Sequence, residues 1–211
     1  MVGAPGVQKV ARIHLFIPAV FIILAFCACN AKETGSKKNV SQAKSEKHFT
    51  GLSEGDLVCR LGSGFFSNHF RKHASQEKRF SHIGIISREG EHLYVYHTEA
   101  SELTGQGGVK KESLETFLKG LDTYAFYRLE LPVETKLRII AQAELYFREK
   151  VPFDLAFDTF DDRKMYCTEF VARCINKACD STVIVPALTI NGKSFIGLDD
   201  IYKHPLCREV S

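Results

Sequence analysis

The stretch Met165–Ala178, MYCTEFVARCINKA, constrains the chain most. Its apolar or small residues fall at Cys167, Phe170, Val171, Cys174, Ile175 and Ala178. Those spacings trace one face of an amphipathic helix. Thr168, Glu169, Arg173 and Lys177 are left for the outer face. Cys167 then sits in the first turn, on the inward side. The helix dipole and unpaired backbone N–H groups at that end favour a thiolate. The helix alone favours a small buried cysteine with no chemistry, so a base must be found elsewhere.

The N-terminus carries a second strong pattern. Lys9 and Arg12 precede Leu15–Cys29, LFIPAVFIILAFCAC, which has no charge. A basic flank before a short apolar run reads as a secretory signal. The run falls short of the ~20 residues of a spanning helix, and Pro18 interrupts it. Its end, Ala25-Phe26-Cys27-Ala28-Cys29, resembles a bacterial lipobox. That resemblance implies cleavage after Ala28 and lipidation of Cys29, with more than one acyl chain for stable anchoring. Residues 1–28 then form a lipoprotein signal peptide. Residues 29–50, rich in Lys, Ser, Asn and Glu, form a flexible tether, and 51–211 form the folded domain. The expected location is the bacterial cell envelope, on the outer membrane. Of the seven cysteines, five remain after Cys27 and Cys29 are set aside, an odd number that leaves at least one thiol unpaired.

A net charge of +3, with no Arg-rich run, zinc-type spacing or Gly-rich phosphate loop, argues against nucleic acid and nucleotides as partners. Along the domain, strands are expected at 55–61, 80–87, 92–99 and 123–129, with a further short one at 183–186. The middle pair, FSHIGIIS and HLYVYHTE, reads as a hairpin. Helices are expected at 65–74, 111–119 and 132–150, with a terminal helical turn at 198–202. The apolar stripe of the long one is Val133, Leu137, Ile140, Ala141 and Leu145. Clustered strands with helices on either side indicate an α+β fold.

The hairpin supplies the base. His82 and Gly84 share one face of the first strand, and His97 and Glu99 share a face of the second. If the turn centres on Glu89–Gly90, His82 lies opposite His97, with Glu99 on the diagonal. If it centres on Gly90–Glu91, His82 faces Glu99. Either partner is within side-chain reach, and a carboxylate beside imidazole fixes its tautomer and raises its basicity.

The ordered set Gly55-Asp56, Ser81–Ile85 (SHIGI), Glu99-Ala100, Val151–Asp154 and Tyr166–Val171 (YCTEFV) resembles the permuted papain-like, NlpC-type cysteine amidases, in particular their YaeF/YiiX-like lipoprotein branch. The resemblance spans about Gly51 to Ala178, with His before Cys as in the permuted group. It implies a central antiparallel sheet packed against helices, with Cys167 as nucleophile, His82 as base and Glu99 as orienting third member. His97 is the alternative third member, and Tyr166 a candidate site-lining residue. Asp56 and Asp154 are expected to hold backbone, and Glu169 to point outward.

The implied activity is hydrolysis of an amide in a cell-wall peptide, with no metal or organic cofactor. Two other readings use the same residues: a lipid acyltransferase or esterase of the same fold, and a non-catalytic lipoprotein that binds a ligand in the cleft. A metal site from His82, His97, Glu99 and Cys167 lacks dedicated ligand spacing.

Overall fold

The computed structural model describes residues 49–159 and 161–210. The expected signal peptide, the lipidated Cys29 and the tether up to residue 48 lie outside the described residues. In chain order the elements are β1 (Leu57–Arg60), α1 (Phe65–Lys72), β2 (His82–Glu89), β3 (His92–Ala100), β4 (Gly107–Ser113), α2 (Leu114–Phe117) and β5 (Tyr124–Leu129). They continue with α3 (Val133–Arg148), α4 (Cys167–Ala178), β6 (Leu188–Ile190), β7 (Lys193–Phe195), α5 (Asp199–Tyr202) and β8 (Cys207–Val210).

Six strands form one sheet in the order β4-β3-β2-β1-β5-β8, antiparallel throughout. The fold is the expected α+β arrangement. The β2–β3 hairpin turns at Gly90–Glu91, where Gly90 takes a φ of 60° that favours glycine. Ile83 and Ile85 project to one side, into a core shared with Cys167, Phe170, Val171 and Ile175 of α4. Ile86 projects to the other side, into a smaller core with Val58, Val95, Leu114 and Phe117. Strand alternation therefore splits β2 between two packing layers.

Several expectations change in the folded chain. Residues 107–113 form an edge strand that takes in the start of the helix expected at 111–119, and α2 is one short turn after it. Its sequence GGVKKES alternates once paired to β3, with Val109 and Lys111 on one side and Lys110 and Glu112 on the other. Residues 183–186 lie outside any strand, and the small hairpin β6–β7 follows instead. β8, too short and polar to stand out, pairs with β5.

Helix α3 turns a different face inward than its stripe suggested. Ile139, Ala143 and Tyr146 are buried, while Val133, Leu137 and Leu145 are 68%, 52% and 40% exposed. Both sets obey the helical period. Small Ala143 lets α3 lie close on α4, where Tyr146 meets Phe170 with ring centroids 6.2 Å apart.

Candidate active site

Short contacts around residue 165 fix where α4 begins. Met165 pairs with Phe153 in an isolated parallel bridge, donates to the Pro152 carbonyl at 3.0 Å, and accepts from the Thr98 hydroxyl at 3.2 Å. Tyr166 is extended, and Cys167 is the first helical residue. Cys167 thus enters α4 beside β2 and β3.

The sulfur is fully buried. Burial pushes its pKa up to about 12, against the opposing pull of the backbone N–H groups of Thr168, of Cys167 itself and of Ile83. The expected helix-end stabilisation is therefore present, but desolvation outweighs it. Ile83 is the residue next to His82, so the thiol abuts β2 one residue from the imidazole. The His82 ring itself leaves β2 toward the other layer, where it stacks on Phe117 with centroids 5.5 Å apart. Among the described residues no hydrogen bond joins Cys167 to His82.

His82 Nε2 lies 2.9 Å from His97 Nδ1. His97 Nε2 lies 3.1 Å from Glu112 Oε1, an approach too bent for a good hydrogen bond, and Nε2 is buried with no other partner among the described residues. Burial, then Arg60, His97 and Lys110, hold His82 well below the ordinary histidine range. Burial also lowers His97, against the pull of Glu112 and Glu99. Both rings are neutral at neutral pH.

Glu99, the expected orienting acid, binds elsewhere. Its carboxylate accepts from Arg60 at 2.9 Å and from Lys110 at 3.1 Å. Arg60 is fixed in turn by the Phe117 carbonyl at 2.9 Å, with its guanidinium 4.3 Å from the centroid of the Phe117 ring. The imidazole therefore meets His97, on the diagonal, while the acid serves two cations. Around this end of the sheet lies a cavity of about 290 Å³ lined by Arg60, Ser81, His82, Glu99, Phe66 and Phe153, among others. His82 Nδ1 makes no hydrogen bond among the described residues.

Tyr166 does not line that cavity. It is buried, its ring stacked on Phe195 at 5.2 Å, and its hydroxyl accepts the Ile196 N–H at 2.9 Å. Asp56 is buried in a two-pronged pair with Arg128, and Asp154 accepts backbone N–H groups of Ala156 and Asp158. Glu169, expected on the outer face, is fully buried, as is Thr168. Asp162, through Arg173, and the Ile196 segment cover this turn. Thr168 donates to the Ile196 carbonyl at 2.6 Å. Arg173, tied to Asp162 at 3.0 Å, reaches Glu169 at 3.3 Å. Burial pushes Glu169 up to about 8.

A family model for permuted papain-like amidase enzymes, YaeF/YiiX, C92 family, matches residues 52–199. The chain belongs to this family. Among solved structures it is similar to yiiX from Escherichia coli O157:H7, described as a metalloprotein, with 18% identity over 75% of this chain and 96% of that chain and a TM-score of 0.60. At that identity the likeness carries the fold. No curated protein matches the chain. Among the described residues, no group of three or more His, Cys, Asp or Glu side chains is arranged to hold a metal ion.

Sequence reasoning missed Arg60, Lys110, Glu112 and Phe117 around the two histidines. Residues 109–113, VKKES, carry no apolar–polar alternation, so the sequence offered no strand signal for Glu112. Its absence from the reading follows from taking 111–119 as a helix.

Proposed function

We propose that this C92-family chain is a cysteine amidase acting on an amide of a cell-wall peptide, with Cys167 as nucleophile, His82 as base and His97 as the partner that orients His82. The observation that carries this is the match of the C92 amidase family model to residues 52–199; at the start of β2 the thiol lies on the Ile83 side of the sheet and the imidazole on the Phe117 side. One ring nitrogen of His82 is tied to His97, the other is unbonded, and the thiol lies against the backbone of the adjacent Ile83.

The resting pair is a neutral thiol and a neutral imidazole, since burial raises the one and lowers the other. Proton transfer from sulfur to His82, once its ring turns from Phe117 toward the thiol, therefore accompanies attack on the carbonyl rather than preceding it. The backbone N–H groups of Cys167 and Thr168 at the start of α4 stabilise the developing oxyanion. His82 returns the proton to the leaving amine, and water, activated by the same ring, cleaves the thioester. With the sulfur fully covered in this state, substrate entry requires side chains around the cavity to part.

The test is incubation of the reduced protein with peptidoglycan-derived peptides, with products read by mass spectrometry. Wild type releases a free amine and carboxylate, and Cys167→Ala does not. Equal activity of the two would overturn the assignment.

A second reading, an acyltransferase or esterase on lipid, is favoured by one observation. Phe65, Leu103 and Leu155, on the segments that carry the cavity residues Phe66, Glu102 and Phe153, are 69%, 97% and 49% exposed. Fatty acid released from phospholipid vesicles, with peptides left intact, would select it.

The N-terminal pattern supports export and anchoring through Cys29 in the cell envelope, on the outer membrane, with 29–50 as tether. Palmitate feeding labels the wild-type product and leaves Cys29→Ala unlabelled. An unlabelled wild type would remove the anchor.

A further inference from the structure

We infer that Glu112 is a positioning residue that acts through His97 to set which nitrogen of His82 carries the proton. The inference rests on the amidase reading for its consequence and on geometry for its content.

Three groups stand in a row on one face of the sheet: the Glu112 carboxylate, the His97 ring and the His82 ring. The separations are 3.1 Å from Glu112 Oε1 to His97 Nε2 and 2.9 Å from His97 Nδ1 to His82 Nε2. A neutral imidazole has one N–H and one lone pair, so the state at one end of the row dictates the state at the other. His97 Nε2 is buried and has no partner other than Glu112 among the described residues. A lone pair there would face a carboxylate in a dry environment. A proton there faces the carboxylate 3.1 Å away and is favoured by its charge, though off the line of a good hydrogen bond. Glu112 therefore holds the His97 proton on Nε2.

His97 Nδ1 is then the acceptor and takes the Nε2–H of His82. The lone pair of His82 is left on Nδ1, the nitrogen with no partner among the described residues. That is the tautomer a general base requires. Reversing the row puts a proton on His82 Nδ1 and leaves nothing to receive the thiol proton. The lowered pKa of Glu112, caused first by His97, agrees with an ionised acid at the head of the row.

Two features hold the row in place. Gly84 lets it close: a Cβ there would lie 3.2 Å from the His97 Cβ. Phe117 seals it, with ring centroids 5.5 Å from His82 and 5.0 Å from His97. Water, which could satisfy either tautomer, is kept from the fully buried His97 ring.

The test uses the full chain with ¹⁵N-labelled histidine, the His82 resonances being assigned by their loss in His82→Gln. Wild type is expected to show His82 protonated on Nε2, and His97 likewise. In Glu112→Ala the His82 preference collapses, and kcat for amide hydrolysis falls at least about tenfold with KM unchanged. Glu112→Gln, whose amide oxygen can still accept from His97, restores both. Wild-type His82 protonated on Nδ1, or a Glu112→Ala protein whose tautomer or kcat equals wild type, overturns the inference. Should Glu112→Ala fail to fold, the wild-type tautomer decides. Should the wild type hydrolyse no amide, the amidase reading falls while the spectrum still decides the role of Glu112.

Discussion

His82 Nε2 and His97 Nδ1 are 2.9 Å apart, with their rings close to perpendicular at 89°. The paired register between β2 and β3 runs to Ile85↔Tyr96. Carried three residues further, it would set His82 opposite Glu99, so the contact with His97 is a diagonal one. The acid directly across is engaged by Arg60 and Lys110, and those two cations lower the His82 pKa.

This separates the roles of His97 and Glu99 in kinetics. His97→Ala is expected to lower kcat for peptide amide hydrolysis about 10²-fold. Glu99→Gln is expected to keep most of the rate. By freeing Arg60 and Lys110 it should also move the acidic limb of the pH–rate profile to lower pH. Loss of rate in Glu99→Gln alone would return the orienting role to the carboxylate.

The buried histidines predict a stability profile. Both have folded-state pKa values below the ordinary 6.5. Their contribution is therefore present above pH 6.5 and lost as pH falls through the folded values, by up to about 1.4 kcal/mol per pH unit for each ring. Urea unfolding at pH 7, 6 and 5 should show this slope, and His82→Gln should flatten it. Equal slopes in the two proteins would contradict it.

Glu169 acts with the opposite sign. Its folded pKa, about 8, lies above the ordinary 4.5. Stability is complete below pH 4.5 and declines as pH rises toward 8. Glu169→Gln removes that decline, so the variant should gain at least about 1 kcal/mol on wild type between pH 5 and pH 8.5. Chemical denaturation at the two pH values measures it, and a gain that does not change with pH refutes it.

Gly84 is a steric requirement. A Cβ there would collide with Val95 Cγ1, on a stiff, β-branched side chain that cannot swing aside. Gly84→Ala should cost about 1–3 kcal/mol, seen as a lower urea midpoint. It should also loosen the contact between the histidines. An unchanged midpoint would show that β3 yields without strain.

Much of this was legible in the chain itself. The α4 stripe, the β2–β3 hairpin with its glycine turn, and the order of His before Cys are local patterns, and local patterns survive folding because backbone geometry enforces them. What local pattern could not reach was choice between equivalents. The α3 helix had two apolar faces of the right period, and only Ala143 against α4 decided between them. Glu169 followed an outward spacing, yet Arg173, held by Asp162, and the Ile196 segment buried it. Cys167 had a helix end to favour its thiolate, and burial reversed the balance.

Sequence by itself determined β1, β2, β3 and β5, the helices α1, α3 and α4, the family resemblance and the short roster of reactive side chains, since periodicity and residue chemistry are written along one dimension. The tertiary structure alone decided that Glu99 goes to Arg60 and Lys110 while His82 goes to His97 and, through it, to Glu112. The physical reason is competition. Arg60 and Lys110 come from other strands, and a carboxylate offered two cations at hydrogen-bond distance stays with them rather than with a neutral, buried ring.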